Sequence, residues 1–94
     1  MNPGMMKKFR KMQEEMTDAQ EKLEAKEYFG KASGITVIVQ GSRQVIDVQI
    51  DDELLEEKEL LQDAILIAIN NALDEIDKDQ KNTMQKFAGG LGMF

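Results

Sequence analysis

Residues 60–76 read LLQDAILIAINNALDEI, the longest apolar stretch in a chain of 94 residues and one without Gly or Pro. Its Ala, Leu and Ile content makes it a helix by propensity. Residues 64–69 (AILIAI) are apolar at every position, and a helix that buries only one face has no use for such a run. This helix is therefore expected to be covered on more than one side. Its length and its Asp, Glu and Asn residues rule out a membrane span. A domain this small buries only about 60–65% of the surface its unfolded chain exposes, so the missing cover is expected from a second copy of the chain. Leu61, Ile65, Ala68, Ile69 and Ala72 are the expected intersubunit contacts along it.

Working upstream, residues 35–40 (ITVIVQ) and 43–50 (RQVIDVQI) are β-prone, and Gly41-Ser42 between them reads as a two-residue hairpin turn. Pairing across that turn sets Gln40 opposite Arg43, Val37 opposite Ile46 and Ile35 opposite Val48. One face then carries Ile35, Val37, Val39, Ile46, Val48 and Ile50. The other carries Thr36, Ile38, Gln40, Arg43, Val45 and Asp47 and is mostly solvated. Residues 27–31 (EYFGK) read as a further short strand, with Ala32-Ser33-Gly34 as its turn. A sheet with one apolar face needs a helix against it, and residues 60–76 supply one.

At the start of the chain, Asn2 caps and Pro3 opens a helix expected over about residues 3–26. Met5, Phe9, Met12, Met16, Ala19 and Leu23 follow at spacings of four and three, a narrow heptad seam. Such a stripe reads first as ordinary core, and a seam between subunits through Met12 and Met16 is compatible with that. Downstream of the hairpin, Asp51 or Asp52 can cap a short turn at about 52–56 that holds Leu54 and Leu55. The acids there lack the Gly and closing Glu of a calcium loop, so no metal is expected. The long helix is expected over about 58–87, with its polar part, residues 77–83 (DKDQKNT), projecting into water. Ala88-Gly89-Gly90 is the expected stop and residues 88–94 a mobile tail. The whole is a single domain of the α+β class, in the order α-β-β-β-α with a three-stranded antiparallel sheet.

Charge narrows the function. The net charge is −6, which taken alone argues against a nucleic-acid binder. Its distribution says otherwise: Lys7, Lys8, Arg10 and Lys11 fall within five residues, with no acid among the first eleven. Lys78, Lys81 and Lys86 face only Asp79 near the other end, and seven carboxylates crowd residues 51–63. Basic charge at a helix N-terminus opposes the dipole. One helix end could carry these side chains to a phosphate backbone, and a dimer would double their number. The same residues also fit a solvated basic helix end balanced by the acids after it.

Catalysis has little to draw on. There is no His or Cys to act as base, nucleophile or ligand, no Gly-rich phosphate loop, and the carboxylates sit on solvated helical faces where nothing raises their pKa. No enzyme activity, cofactor or small-molecule substrate is expected. The absence of Cys fits a reducing compartment, and the N-terminus has basic residues but no apolar run after them, so it does not read as a secretory signal.

Three blocks, MMKKFRKMQEEM over residues 5–16, ITVIVQGSRQVIDVQID with Leu54-Leu55 after it, and LLQDAILIAINNALDEIDK over residues 60–78, together resemble the YbaB/EbfC family of bacterial nucleoid-associated proteins. The resemblance runs from about Gly4 to Phe94 and rests on the order and spacing of the blocks. It implies a tight two-fold dimer with helices between two small sheets, shaped like tweezers whose projecting helix ends contact DNA. Carried onto this chain, it places DNA contacts at Lys7, Lys8, Arg10 and Lys11, and further at Lys78, Lys81 and Lys86. Asp52 stands where a Pro is common, and the loop before Ile35 is less Gly-rich than in many members. DNA contact also requires the acidic run to face away from the tips. The expected protein is a cytoplasmic, nucleoid-associated homodimer that binds duplex DNA with little sequence preference and serves nucleoid organisation or gene regulation. The alternative is a non-catalytic protein adaptor that uses the acidic face or the Met-rich first helix.

Overall fold

In the computed structural model, which describes residues 2–90 and the side chains of 2–88, Asn2 caps the first helix by accepting a 2.8 Å hydrogen bond from the Met5 N–H. Pro3 occupies the first turn, where its missing N–H costs nothing. Helix α1 spans Pro3–Ala25. Three strands follow, β1 (Glu27–Ala32), β2 (Ile35–Gln40) and β3 (Val45–Ile50), then a 3-10 turn at Asp52–Glu56 and helix α2 (Lys58–Gly90). The strands form one antiparallel sheet in the order β1-β2-β3. The chain is α+β, α-β-β-β-α.

α2 lies across one face of β1 and β2. Ala64, Ala68, Ala72 and Ile76, four residues apart, meet Tyr28 on β1 and Ile35, Val37 and Val39 on β2 in a single core. Small residues on both sides let the backbones approach. A Cβ added at Gly30 would collide with the Ala68 carbonyl and crowd the Ala72 N–H. Ala68 and Ala72, expected at a subunit interface, are thus fully buried inside their own chain. Leu61, Ile65, Ile69 and Leu73 flank that stripe and are half-buried. The far side of the helix is bare: Leu66 is 60% and Ile67 50% exposed, so one chain covers the apolar run on one side only.

The hairpins differ from the expected pairing. Ser33 and Gly34 both have positive φ (37° and 84°), so the tight two-residue turn joins β1 to β2, with Ala32 opposite Ile35. Between β2 and β3 the connection is longer. The Gln40 N–H donates to the Gln44 carbonyl at 2.8 Å, Arg43 takes φ 73°, and β3 begins at Val45 rather than at residue 43. Ile35 pairs with Ile50, Val37 with Val48 and Ile38 with Asp47; then the register shifts and Val39 meets Val45. The pairing has slipped by two residues from the expected one, an even number that keeps Ile35, Val37, Val48 and Ile50 on one face. The irregularity puts Val45 on that face and makes Ile46 the extra residue.

α2 also runs on through Ala88-Gly89-Gly90 instead of stopping at 87; glycine in a helix costs only about 1 kcal/mol against alanine. Residues 91–94, the expected mobile tail, lie outside the described residues. Asp51 sits at the N-cap of the 3-10 turn without a side-chain cap bond. It serves through its backbone, donating to the Gly34 carbonyl at 3.0 Å and accepting from the Leu54 N–H.

Candidate nucleic-acid interface

α1 leaves the sheet at Lys26 and is buried only at its root. Leu23 is 5% exposed, Met16 and Met12 are half-buried, and Phe9 and Met5 are each 51% exposed. The apolar seam therefore loses its cover steadily toward the tip. Lys7, Lys8, Arg10 and Lys11 sit on that bare tip, all exposed. At about 100° per residue they share an arc of roughly 160° on the side opposite Met5, Phe9, Met12 and Met16. A partner could cover the seam and leave the basic face in water.

The second basic group is less concentrated. Lys78, Lys81 and Lys86 are exposed on α2; Lys78 and Lys81 lie on the side away from half-buried Thr83 and Phe87, whereas Lys86 stands beside Thr83. Lys78 is already turned toward Glu75, one helical turn back, at 3.5 Å. α2 passes the end of the sheet near Asp79, so Lys81 and Lys86 lie on its projecting part. From Lys26, Arg10 is about 24 Å along α1; from Asp79, Lys86 is only about 10 Å along α2. Lys26 and Asp79 touch, so the two groups stand at different distances from one junction.

The acidic run is at the other end of the molecule. Asp51 is bonded to Gly34 at the β1–β2 turn, whereas α1 departs from the opposite end of β1. The longest dimension is 67 Å, more than the roughly 50 Å that 33 residues of α2 can span. α1 supplies the difference by extending away from the acids. The basic tip and the acids of residues 51–63 are thus separated along the long axis.

Two further cations, which sequence reasoning did not single out, belong to the root of α1. Lys26 pairs with Asp79 at 3.0 Å, and Arg43 with Asp77. The Tyr28 hydroxyl donates to the same Asp79 carboxylate at 2.5 Å. Burial, and then this bond to a carboxylate, raise the Tyr28 pKa; the Tyr28 and Lys26 hydrogen bonds lower that of Asp79. The partners are more than 30 residues apart in the chain, and no local pattern announces them. Among the described residues no group of three or more His, Cys, Asp or Glu side chains is arranged to hold a metal ion.

A small sheet backed by one long helix, with a second helix standing off it and carrying a basic tip, defines an architecture built to present charge at a distance. The comparisons give that architecture its family. The YbaB/EbfC DNA-binding family model matches residues 1–91, and the chain belongs to that family. A nucleoid-associated protein of Enterococcus faecalis is 38% identical over 97% of this chain and 91% of its own. One from Clostridium kluyveri is 39% identical over 97% and 86%. A crystal structure of an uncharacterised protein from Helicobacter pylori superposes with a TM-score of 0.76 at 26% identity, covering 92% of this chain and 96% of that one.

Proposed function

We propose that this protein is a nucleoid-associated homodimer of the bacterial cytoplasm that grips duplex DNA through the basic tips of its two α1 helices, with little sequence preference, and so serves nucleoid organisation or gene regulation. The observation that carries the reading is the separation of charge. Lys7, Lys8, Arg10 and Lys11 stand together at the end of a projecting helix, and the carboxylates of residues 51–63 lie at the far end of the molecule. The seven carboxylates of residues 51–63 therefore do not oppose contact at the tip, because they lie beyond the roughly 8–10 Å screening length of ordinary salt, and only Glu14, Glu15 and Asp18 on α1 itself temper it locally. Family membership and relatives named as nucleoid-associated proteins support the same reading.

The dimer is supported by what one chain leaves uncovered. All six residues of β3 are exposed, yet Val45, Val48 and Ile50 share the face on which α2 packs. Beside them lie half-buried Leu61, Ile65 and Ile69, with exposed Leu66 next to these on the helix. A second copy of α2 laid over β3 would bury this surface and place helices between two sheets. Met12 and Met16, on the open seam of α1, are the matching contacts nearer the tips.

The tip sequence carries no base-reading motif, so binding should come from phosphates. Fluorescence anisotropy with a labelled duplex of about 30 base pairs, taken over a range of salt, tests this. Four basic residues per chain make eight per dimer, and full engagement gives a log–log salt slope approaching −7 at about −0.9 per phosphate. Replacing Lys7, Lys8, Arg10 and Lys11 together with Glu should abolish binding while leaving the dimer intact. If wild type fails to bind even at low salt, the adaptor reading takes its place. It has one observation of its own, an open apolar groove of about 290 Å³ at the α1 tip lined by Met5, Lys8, Phe9 and Met12.

A further inference from the structure

Both projecting helices leave the sheet at one point, and that point is tied by polar bonds. Lys26 closes α1, its N–H donating to the Lys22 and Leu23 carbonyls at 3.1 and 3.3 Å. Its side chain reaches Asp79 at 3.0 Å and lies 5.0 Å from the centre of the Tyr28 ring. Asp79 is where α2 clears the sheet, and it takes the Tyr28 hydroxyl on the same oxygen. The β2–β3 turn completes the joint. The Gly41 N–H donates to the Lys26 carbonyl at 2.9 Å, the Ser42 N–H to the Glu24 carbonyl at 3.2 Å, and Arg43 pairs with Asp77 on α2. Gly41 has no room for a Cβ against the Leu23 carbonyl. Further out the helix has no polar tie: among the described residues no side-chain hydrogen bond or salt bridge joins residues 3–22 to the sheet or to α2, and only the apolar seam through half-buried Met16 and Met12 gives it cover.

We propose that Lys26, Tyr28 and Asp79 are positioning residues for DNA contact, a clamp that holds α1 and α2 at a fixed divergence and so sets where the basic tips meet the duplex. The inference rests on the functional reading above. The lever is long: Lys8 is about 25 Å along α1 from its last residue, so 10° of play at the root moves the tip by about 4 Å. That exceeds the roughly 3.4 Å rise between neighbouring phosphates on one strand. A loose root therefore blurs the register of every tip contact at once. Tyr28 is nearly fully buried, which shields its bond to Asp79 from water on one side, whereas an exposed ion pair alone would hold the joint weakly.

The absence of Cys makes the test clean. Gln13→Cys on α1 and Gln49→Cys on β3, both exposed positions, carry spin labels in a chain diluted with excess unlabelled protein, so that pulsed electron spin resonance reads the intrachain distance. Wild type should give a narrow distribution. Asp79→Ala and the milder Tyr28→Phe should widen it, keep the far-ultraviolet helix signal, and weaken duplex binding about fivefold, the factor matching loss of one hydrogen bond of order 1 kcal/mol. The salt slope should stay at the wild-type value, because the number of phosphates engaged is unchanged; a residue that only maintains the fold would move neither the width nor the affinity at constant slope. Unchanged width, or unchanged affinity, in variants of a DNA-binding wild type would overturn this inference alone. Failure of wild type to bind DNA would overturn it together with the functional reading, and the distance distribution would still report whether the clamp exists.

Discussion

Tyr28 and Gly30, two residues apart on β1, show how single side chains hold this molecule. Tyr28 is the only tyrosine and there is no tryptophan, so near-ultraviolet absorbance reads its ionisation directly. Burial and the Asp79 carboxylate raise its pKa. Its titration should therefore lie above the ordinary value of about 10, and Asp79→Asn should bring it part of the way back, burial remaining. The sign for stability follows. A raised tyrosine contributes below its unfolded pKa and loses that contribution as pH rises through the folded one. Asp79, lowered by its bonds to Tyr28 and Lys26, contributes above the ordinary carboxyl range and loses it as pH falls through its folded value. Urea midpoints of wild type relative to Tyr28→Phe should thus stay flat from about pH 5 to 9 and converge outside that window. Gly30 is decided by contact: Gly30→Val drives a side chain into the Ala68 carbonyl, and urea unfolding should show a loss of about 3 kcal/mol or more.

At the scale of elements, the hairpins separate local from distant causes. The β1–β2 turn is local, with two consecutive positive φ values at Ser33 and Gly34. Asn is favoured over Ser at the first of these positions, so Ser33→Asn should raise stability by roughly 0.5 kcal/mol in thermal or urea unfolding. Gly41-Ser42 offers the same kind of dipeptide, and sequence reasoning placed a tight turn there. The structure opens it to four residues because Gly41 is engaged elsewhere, donating to Lys26 and lying under the Leu23 carbonyl. That docking is 15 residues away in the chain and leaves no local trace. Ile35, Val37, Val48 and Ile50 still share a face, because a slip of two residues preserves it, and only at the irregularity does Val45 take the place expected for Ile46. The capped start of α1 was legible from Asn2-Pro3; Asn2→Ala should cost about 1 kcal/mol of local helix stability, read as faster hydrogen exchange in the first turn.

The whole molecule is 67 × 24 × 12 Å with a radius of gyration of 18.9 Å, where a compact chain of this length would have about 12 Å. An extended shape with apolar β3 and the back of α2 in water leaves the surface that the proposed dimer would cover. Leu66→Glu tests this more sharply than Ile65 or Ile69, which also pack on their own core. The variant should sediment as a folded monomer, with a loss of helix only if the single chain cannot stand alone; a wild type that is itself a folded monomer would remove the proposed dimer. The sequence by itself determined the order of elements, the apolar stripe of α2, the two-faced sheet and the concentration of basic residues in four of the first eleven positions, because periodicity, caps and charge are local properties. Only the tertiary structure decided that Ala68 and Ala72 serve their own sheet rather than a partner, that the acids of residues 51–63 lie far from the basic tip, and that Lys26, Tyr28 and Asp79 meet. Those outcomes depend on which backbones can approach at Gly30 and Gly41, and close approach is settled by three-dimensional packing between segments tens of residues apart.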